Sequence, residues 1–374
     1  METQTENNLL TLTFGAVANA LAQVAPPALA ESYDNVGLLV GEDSNMVREV
    51  MTCLDVTEEV VDEAILTKCN LIVSHHPLIF KGLKRLNGNN ATERTLLKAI
   101  RNNIGIIACH TNLDNTFNGV SIQLAHRLGL QSPKVLQPMS GQLGQMAVFI
   151  PNQSVEAVLA AAFEAGAGHV GLYDQCAFRV NGVGSYRPLA GSNPVDGKIN
   201  QLSIGPETKV EFIYPNYLQD AILRAVKSVH PYEEVAYNTF TMTNKWEQVG
   251  AGAIGLLPEP MTLVDFLDQV KSCLGITHLK YTDLDRQVQR IAVGGGTCSF
   301  LIDPAKRAGA DVLVTADIKY HEWFEADGQI AIVDIGHYES EIHTNKHLAS
   351  LLSEKFPNIA VRLTTVITNP VKHH

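Results

Sequence analysis

The sequence predicts an α/β body built from the two outer thirds of the chain and interrupted by an inserted α+β domain. Short apolar runs alternate with helix-length amphipathic segments in residues 1–138 and again in 247–374, the pattern of βαβ units and a largely parallel sheet. The middle third, residues 139–246, has a different order, β-α-β-β-α-β, which is that of a ferredoxin-like sandwich and closes by itself. A length of 374 residues also exceeds what a single hydrophobic core usually serves.

The elements follow in order. Thr13 to Val24 has apolar residues at helical spacing and runs into Pro26-Pro27, which ends it. Ser32-Tyr33-Asp34-Asn35-Val36-Gly37 is a polar turn before a short strand. Strands are expected at 50–56, 71–74 and 104–109, with helices at 58–68, 92–101 and 119–128 between and after them. The Pro, Gly, Ser and Gln of 131–144 mark a domain boundary. In the insertion, strands are expected at 145–150, 209–214 and 233–240, helices at 154–165 and 217–229, and a hairpin over 174–186 turning at Asn181-Gly182. After Trp246 come strands at 251–256, 290–293, 312–315 and 330–334, helices at 262–273 and 300–308, and one long helix over 337–354.

Composition excludes several classes of function. With 28 basic and 39 acidic residues the net charge is −11, which argues against a broad nucleic-acid or anionic-membrane surface. Six scattered cysteines with no CxxC pair read as small buried hydrophobes in a reducing compartment. Met1 to Asn8 is polar and acidic, and no apolar stretch approaches ~18 residues. The expectation is a cytoplasmic protein that acts on small molecules.

The chemistry gathers at strand ends. Leu71-Ile72-Val73-Ser74 reads as a buried strand that stops at Pro77, so His75 and His76 stand at its C-terminal end, the edge where open α/β sheets bind ligands. Successive side chains of an extended segment diverge, so two adjacent imidazoles are placed to hold two ions side by side rather than one. After Gly105–Cys109 comes His110-Thr111-Asn112-Leu113-Asp114; after Ala331–Ile335 comes Gly336-His337-Tyr338-Glu339-Ser340-Glu341, where a helix would set His337 and Glu341 one turn apart on one face. His75, His76, Asp114, His337 and Glu341 thus form a set of three imidazoles and two carboxylates, suited to two divalent ions such as Zn, Fe or Mn rather than to calcium. Five ligands serve two ions only if a carboxylate bridges, and open positions are then left for water. His110 is placed as an orienter or proton shuttle.

A single histidine is more often a satisfied surface or core residue than a ligand. On that ground His126, His169, His278, His343, His347, His373 and His374 are left as background. Gly294-Gly295-Gly296 after a strand reads either as a phosphate cradle or as a tight connection. Asp317, Lys319 and His321 line a pocket or a solvated turn, and His230-Pro231-Tyr232-Glu233-Glu234 reads as a structural turn.

The strings SHHP with a following Lys-Gly-Leu, HTNLD, the GGG turn, GADVLVTADIKYH and GHYESE, in this order, resemble the Nif-three-like family, also known as GTP cyclohydrolase 1 type 2 homologs. HPYEEVAY in the middle third resembles the PII-like or CutA-like insertion of longer bacterial members. The resemblance implies a dinuclear metal site on His75, His76, Asp114, His337 and Glu341 with the glutamate bridging, and a cytoplasmic toroidal homohexamer. The activity it implies is hydrolysis of GTP to formate and dihydroneopterin triphosphate, for which His110 or His321 would be the proton donor and the GGG turn and Lys319 the triphosphate partners. Competing readings are a non-enzymatic metal-binding regulatory or scaffold protein, and a di-metal phosphodiesterase.

Overall fold

The structure is a computed structural model that describes residues 12–372; Met1 to Asn8, His373 and His374 lie outside the described residues. Two compact units form. One runs to Gln137 and resumes at Val249, and the other is Pro138–Gln248.

The first unit holds a five-stranded and a six-stranded sheet. In the five-stranded sheet Val50–Cys53, Leu71–Ser74 and Gly105–Ala108 are parallel, and every residue in them is buried. Burial on both faces is why these strands read as unbroken apolar runs rather than alternating ones. Cys53 pairs with Ser74 and Ser74 with Ala108, so the three strands end level and the residues after them share one edge. Gly37–Val40 adds an antiparallel strand beside Gly105–Ala108, and Val361–Leu363, near the far end of the chain, pairs in parallel with Val50–Cys53. Helices start where their caps dictate: Thr13, Thr57 and Asn90 each accept a hydrogen bond from the backbone N–H three residues on.

In the six-stranded sheet Val288–Thr297, Val312–Ala316 and Ala331–Asp334 are parallel, with Thr297 beside Ala316 and Thr315 beside Asp334. Its core includes Phe266, Val270, Ile291, Val293, Val312 and Val314, all fully buried. Gln131–Ser140, whose composition marks a domain boundary, is also an edge strand of this sheet, next to the 17-residue strand Lys245–Met261. Its composition allows this because an edge strand tolerates Pro where a central one does not. The single long helix expected at 337–354 is two, His337–Glu341 and Thr344–Lys355. They part at half-buried His343, whose Nε2 donates to the Val120 carbonyl at 3.2 Å.

In the second unit the elements run Leu143–Pro151, Val155–Glu164, Phe178–Tyr186, Ser203–Pro215, Gln219–Val229 and Tyr237–Thr241, in the order β-α-β-β-α-β. The four strands form an antiparallel sheet whose core with the helices includes Met146, Val148, Val158, Phe212 and Ile222. Asn181-Gly182 is not the hairpin turn expected of it. Neither residue takes a positive φ, which a two-residue hairpin turn needs, and both pair within the strand, against Thr208 and Glu207. His230 is a structural turn residue, its ring accepting from the Tyr232 N–H and donating to the Phe149 carbonyl.

All six cysteines are free, four of them buried. No helix among the described residues is long and apolar enough to cross a membrane.

Candidate metal centre

The C-terminal edges of the two sheets of the first unit meet at His76 and Glu341. Each donor reaches this place from a strand end: His75 and His76 directly after Leu71–Ser74, Asp114 from the short helix Thr111–Asp114 after Gly105–Ala108, and His337 and Glu341 from the helix after Ala331–Asp334. The five residues chosen from the sequence come together here.

They sort into two sets around one carboxylate. Glu341 Oε2 lies 2.9 Å from His76 Nε2 and 3.0 Å from His337 Nε2, and the two imidazole nitrogens are 3.4 Å apart. Glu341 Oε1 lies 3.8 Å from His75 Nε2, which is 3.6 Å from Asp114 Oδ1. Tetrahedral ligands at ordinary zinc distances stand ~3.3 Å from one another; the His76, His337 and Glu341 atoms are near that spacing, and His75 stands a few tenths of an ångström farther from both Asp114 and Glu341.

Each imidazole has its far nitrogen fixed, leaving Nε2 aimed into the cluster. His75 Nδ1 donates to the Cys109 carbonyl at 2.8 Å, His76 Nδ1 meets Asp55 at 2.7 Å and His337 Nδ1 meets Asp317 at 2.6 Å. Such outer partners set the tautomer and orientation of metal-ligating histidines. Asp55 follows the same rule as the chosen residues, a polar group just past a buried strand, and that signal could have found it. Asp317 takes φ 55, a left-handed conformation costly for a residue with a Cβ and typical of functional sites; Thr297 Oγ1 also donates to it at 2.7 Å.

The electrostatics call for cations. His75 Nε2 and Asp114 Oδ1 are buried without any hydrogen-bond partner, a state that costs about 1–3 kcal/mol per group unless something takes both. Burial and the charge of Glu341 push the Asp114 carboxyl well above the usual range. Burial opposes charge on His76, yet its hydrogen bonds to Asp55 and Glu341 outweigh that and lift it to about 10. His337 is raised to about 9, first by its hydrogen bond to Glu341. Glu341 itself is held well below the carboxylate range, because the histidines around it more than offset its burial. The donors therefore fit a metal ion, which would satisfy the orphaned pair and replace protons on the imidazoles.

His110 stands beside this cluster. Its ring centroid is 5.3 Å from that of His75 and 5.4 Å from that of His76, and its Nδ1 is 2.9 Å from Asp34. Asp34, read from sequence only as part of a turn, also accepts from the Thr111 backbone and hydroxyl. His321 does not join the cluster; it is exposed and stands edge-on to Tyr320.

The three glycines are not a phosphate cradle. They continue the strand Val288–Thr297, and the last two amides are taken: Ser121 Oγ accepts from Gly295 at 3.3 Å and Ser340 Oγ from Gly296 at 2.9 Å. Their role is clearance, since a Cβ on Gly296 would lie 2.3 Å from Glu341 Oε1.

A cavity of about 840 Å³ opens on the His76 and His337 side, with Asp55, Asp317, Asp334, Glu339 and Lys280 in its wall.

The profile of the Duf34/NIF3 (NGG1p interacting factor 3) family matches residues 12–370. A Bacillus subtilis protein named GTP cyclohydrolase 1 type 2 homolog is 36% identical over 354 residues, covering 93% of this chain and 95% of that one. A Halalkalibacterium halodurans protein of the same name is 38% identical over 353 residues, covering 92% and 95%. The crystal structure of a Bacillus cereus protein related to NIF3 has a TM-score of 0.85 at 37% identity and covers 97% of this chain and 100% of that one.

Proposed function

This chain belongs to the Duf34/NIF3 family, and on that premise we propose that it is a dinuclear metal-dependent hydrolase of the GTP cyclohydrolase 1 type 2 kind. His75, Asp114 and Glu341 would hold one divalent ion, and His76, His337 and Glu341 the other. The observation that carries this reading is Glu341, whose two oxygens each face a separate set of histidines.

When bound, such ions would supply Lewis acidity and lower the pKa of a bound water toward neutrality. The chain's own residues do the rest. Asp55, Asp317 and the Cys109 carbonyl keep the three imidazoles aimed, and the Asp34 carboxylate holds His110 Nδ1–H. His110 is left with Nε2 to take or give a proton at the reacting water or the leaving nitrogen. For GTP, C8 of the guanine imidazole ring leaves as formate once water has cleaved both of its bonds to nitrogen. Cytoplasmic location and assembly into a homohexamer belong to the same proposal; light scattering on the eluting protein is expected to give a hexamer mass.

The test is formate release from GTP by protein reloaded with Zn²⁺, Fe²⁺ or Mn²⁺. A His110→Gln variant is expected to keep its metal and lose activity by about 10²–10⁴-fold. No formate with any of the three metals sinks the cyclohydrolase assignment. A separate expectation concerns the outer carboxylate: Asp55→Asn frees His76 to turn, and metal affinity measured by competition with a chelating dye falls about 10–100-fold. An unchanged affinity would show that Asp55 does not orient His76.

A further inference from the structure

Beside His110, outside the wall of the large cavity, the ring of Phe80 lies 6.2 Å from the His110 ring at 77°, and Tyr33 lies 6.2 Å from Phe80. Both aromatics are exposed, Tyr33 by 64% and Phe80 by 43%, so their ring surfaces are open to a ligand beside His110. Tyr33, Asp34 and Asn35 are consecutive, and each does something here. Tyr33 faces Phe80, Asp34 fixes His110, and Asn35 Nδ2 donates to the Ile79 carbonyl at 2.6 Å, pinning the base of the loop that carries Phe80.

That loop has neither helix nor strand between Ser74 and Ala91. Past Phe80 it bears Lys81, Lys84 and Arg85, all exposed and none with an ion pair or hydrogen bond among the described residues. Three unpaired cations within five residues are unexpected in a chain of net charge −11. The cavity on the other side of the cluster carries four carboxylates, Asp55, Asp317, Asp334 and Glu339, against Lys280 as its only lysine or arginine. An anionic group would be repelled there and attracted at the loop.

We propose that Tyr33 and Phe80 are the wall on which a flat heteroaromatic ring stacks beside His110, and that Lys81, Lys84 and Arg85 receive phosphate groups attached to it. The ligand class is a nucleotide: ring and phosphates are recognised by different residues of one loop. Stacking is tolerant of base identity, whereas the charge contacts are sensitive to salt. This inference rests on the reading of the neighbouring cluster as a centre that acts on a small molecule.

Calorimetric titration of the metal-loaded full chain with guanosine and with GTP tests it, metal content being checked in every sample. Tyr33→Ala/Phe80→Ala is expected to weaken both ligands by about tenfold or more. Lys81→Ala/Lys84→Ala/Arg85→Ala is expected to weaken GTP and leave guanosine unchanged, and to flatten the salt dependence of GTP binding. All five side chains are exposed, so the variants fold. Wild-type affinity in both variants at full metal content overturns the proposal, as does a wild-type chain that binds neither ligand. Binding that follows the expected pattern without formate release leaves the nucleotide slot standing and removes the cyclohydrolase reaction, so the two failures are told apart.

Discussion

Glu341→Gln is expected to empty both metal positions at once. The side chain is 3% exposed and is the one group whose oxygens face both histidine sets. Glutamine keeps the shape and one acceptor, but its NH₂ is a donor aimed at imidazole nitrogens that must themselves accept a cation. The buried negative charge that would offset the cations of the proposed centre is lost as well. Losing an outer carboxylate costs about 10–100-fold in affinity, and losing the bridging one is expected to cost more at both positions. Mass-spectrometric metal analysis should find almost none after dialysis against a weak chelator that leaves the wild type loaded. A variant that retains either ion at wild-type affinity would rule out bridging.

Gly296→Ala should act more selectively. Gly296 has φ +66, and an added Cβ would stand 2.3 Å from Glu341 Oε1 and 3.4 Å from the His337 ring. The left-handed backbone costs an alanine about 1–2 kcal/mol, and the clash adds about 1–3 kcal/mol. Relief comes by turning the Glu341 carboxylate, which moves Oε1 away from His75 and Asp114 while Oε2 stays near His76 and His337. The expected product is a destabilised protein that holds one ion in place of two, measured by metal content and by urea unfolding of the metal-free form. Two ions at full affinity would show that the glycine gives the carboxylate no needed room. Together the variants separate the positions: the glutamine change removes both, the alanine change one.

Much of this was legible in the chain. A parallel strand buried on both faces must be wholly apolar, so Leu71–Ser74, Gly105–Ala108 and Ala331–Asp334 announced themselves, and polar residues just past them marked the edge where the site lies. The spacing of His337 and Glu341 on a helix was equally readable, because one turn of helix sets it. Less legible were features whose residues carry two meanings. Asn181-Gly182 is a turn signal by composition and a strand by pairing, and Gln131–Ser140 marks a domain boundary by composition and is an edge strand in the sheet. The glycine triplet suits a phosphate loop, and the fold uses it to make way for Glu341.

The sequence by itself determined which elements form and which residues stand at strand ends, since periodicity, burial and helix geometry are local. Tertiary structure alone decided which strand ends face one another: that the edge bearing His76 meets the edge bearing Glu341, 265 residues away along the chain. It also decided which carboxylate orients which imidazole, pairing Asp55 with His76 and Asp317 with His337. Those pairings depend on how two sheets pack, and the packing is a sum of many weak apolar contacts that no short motif records.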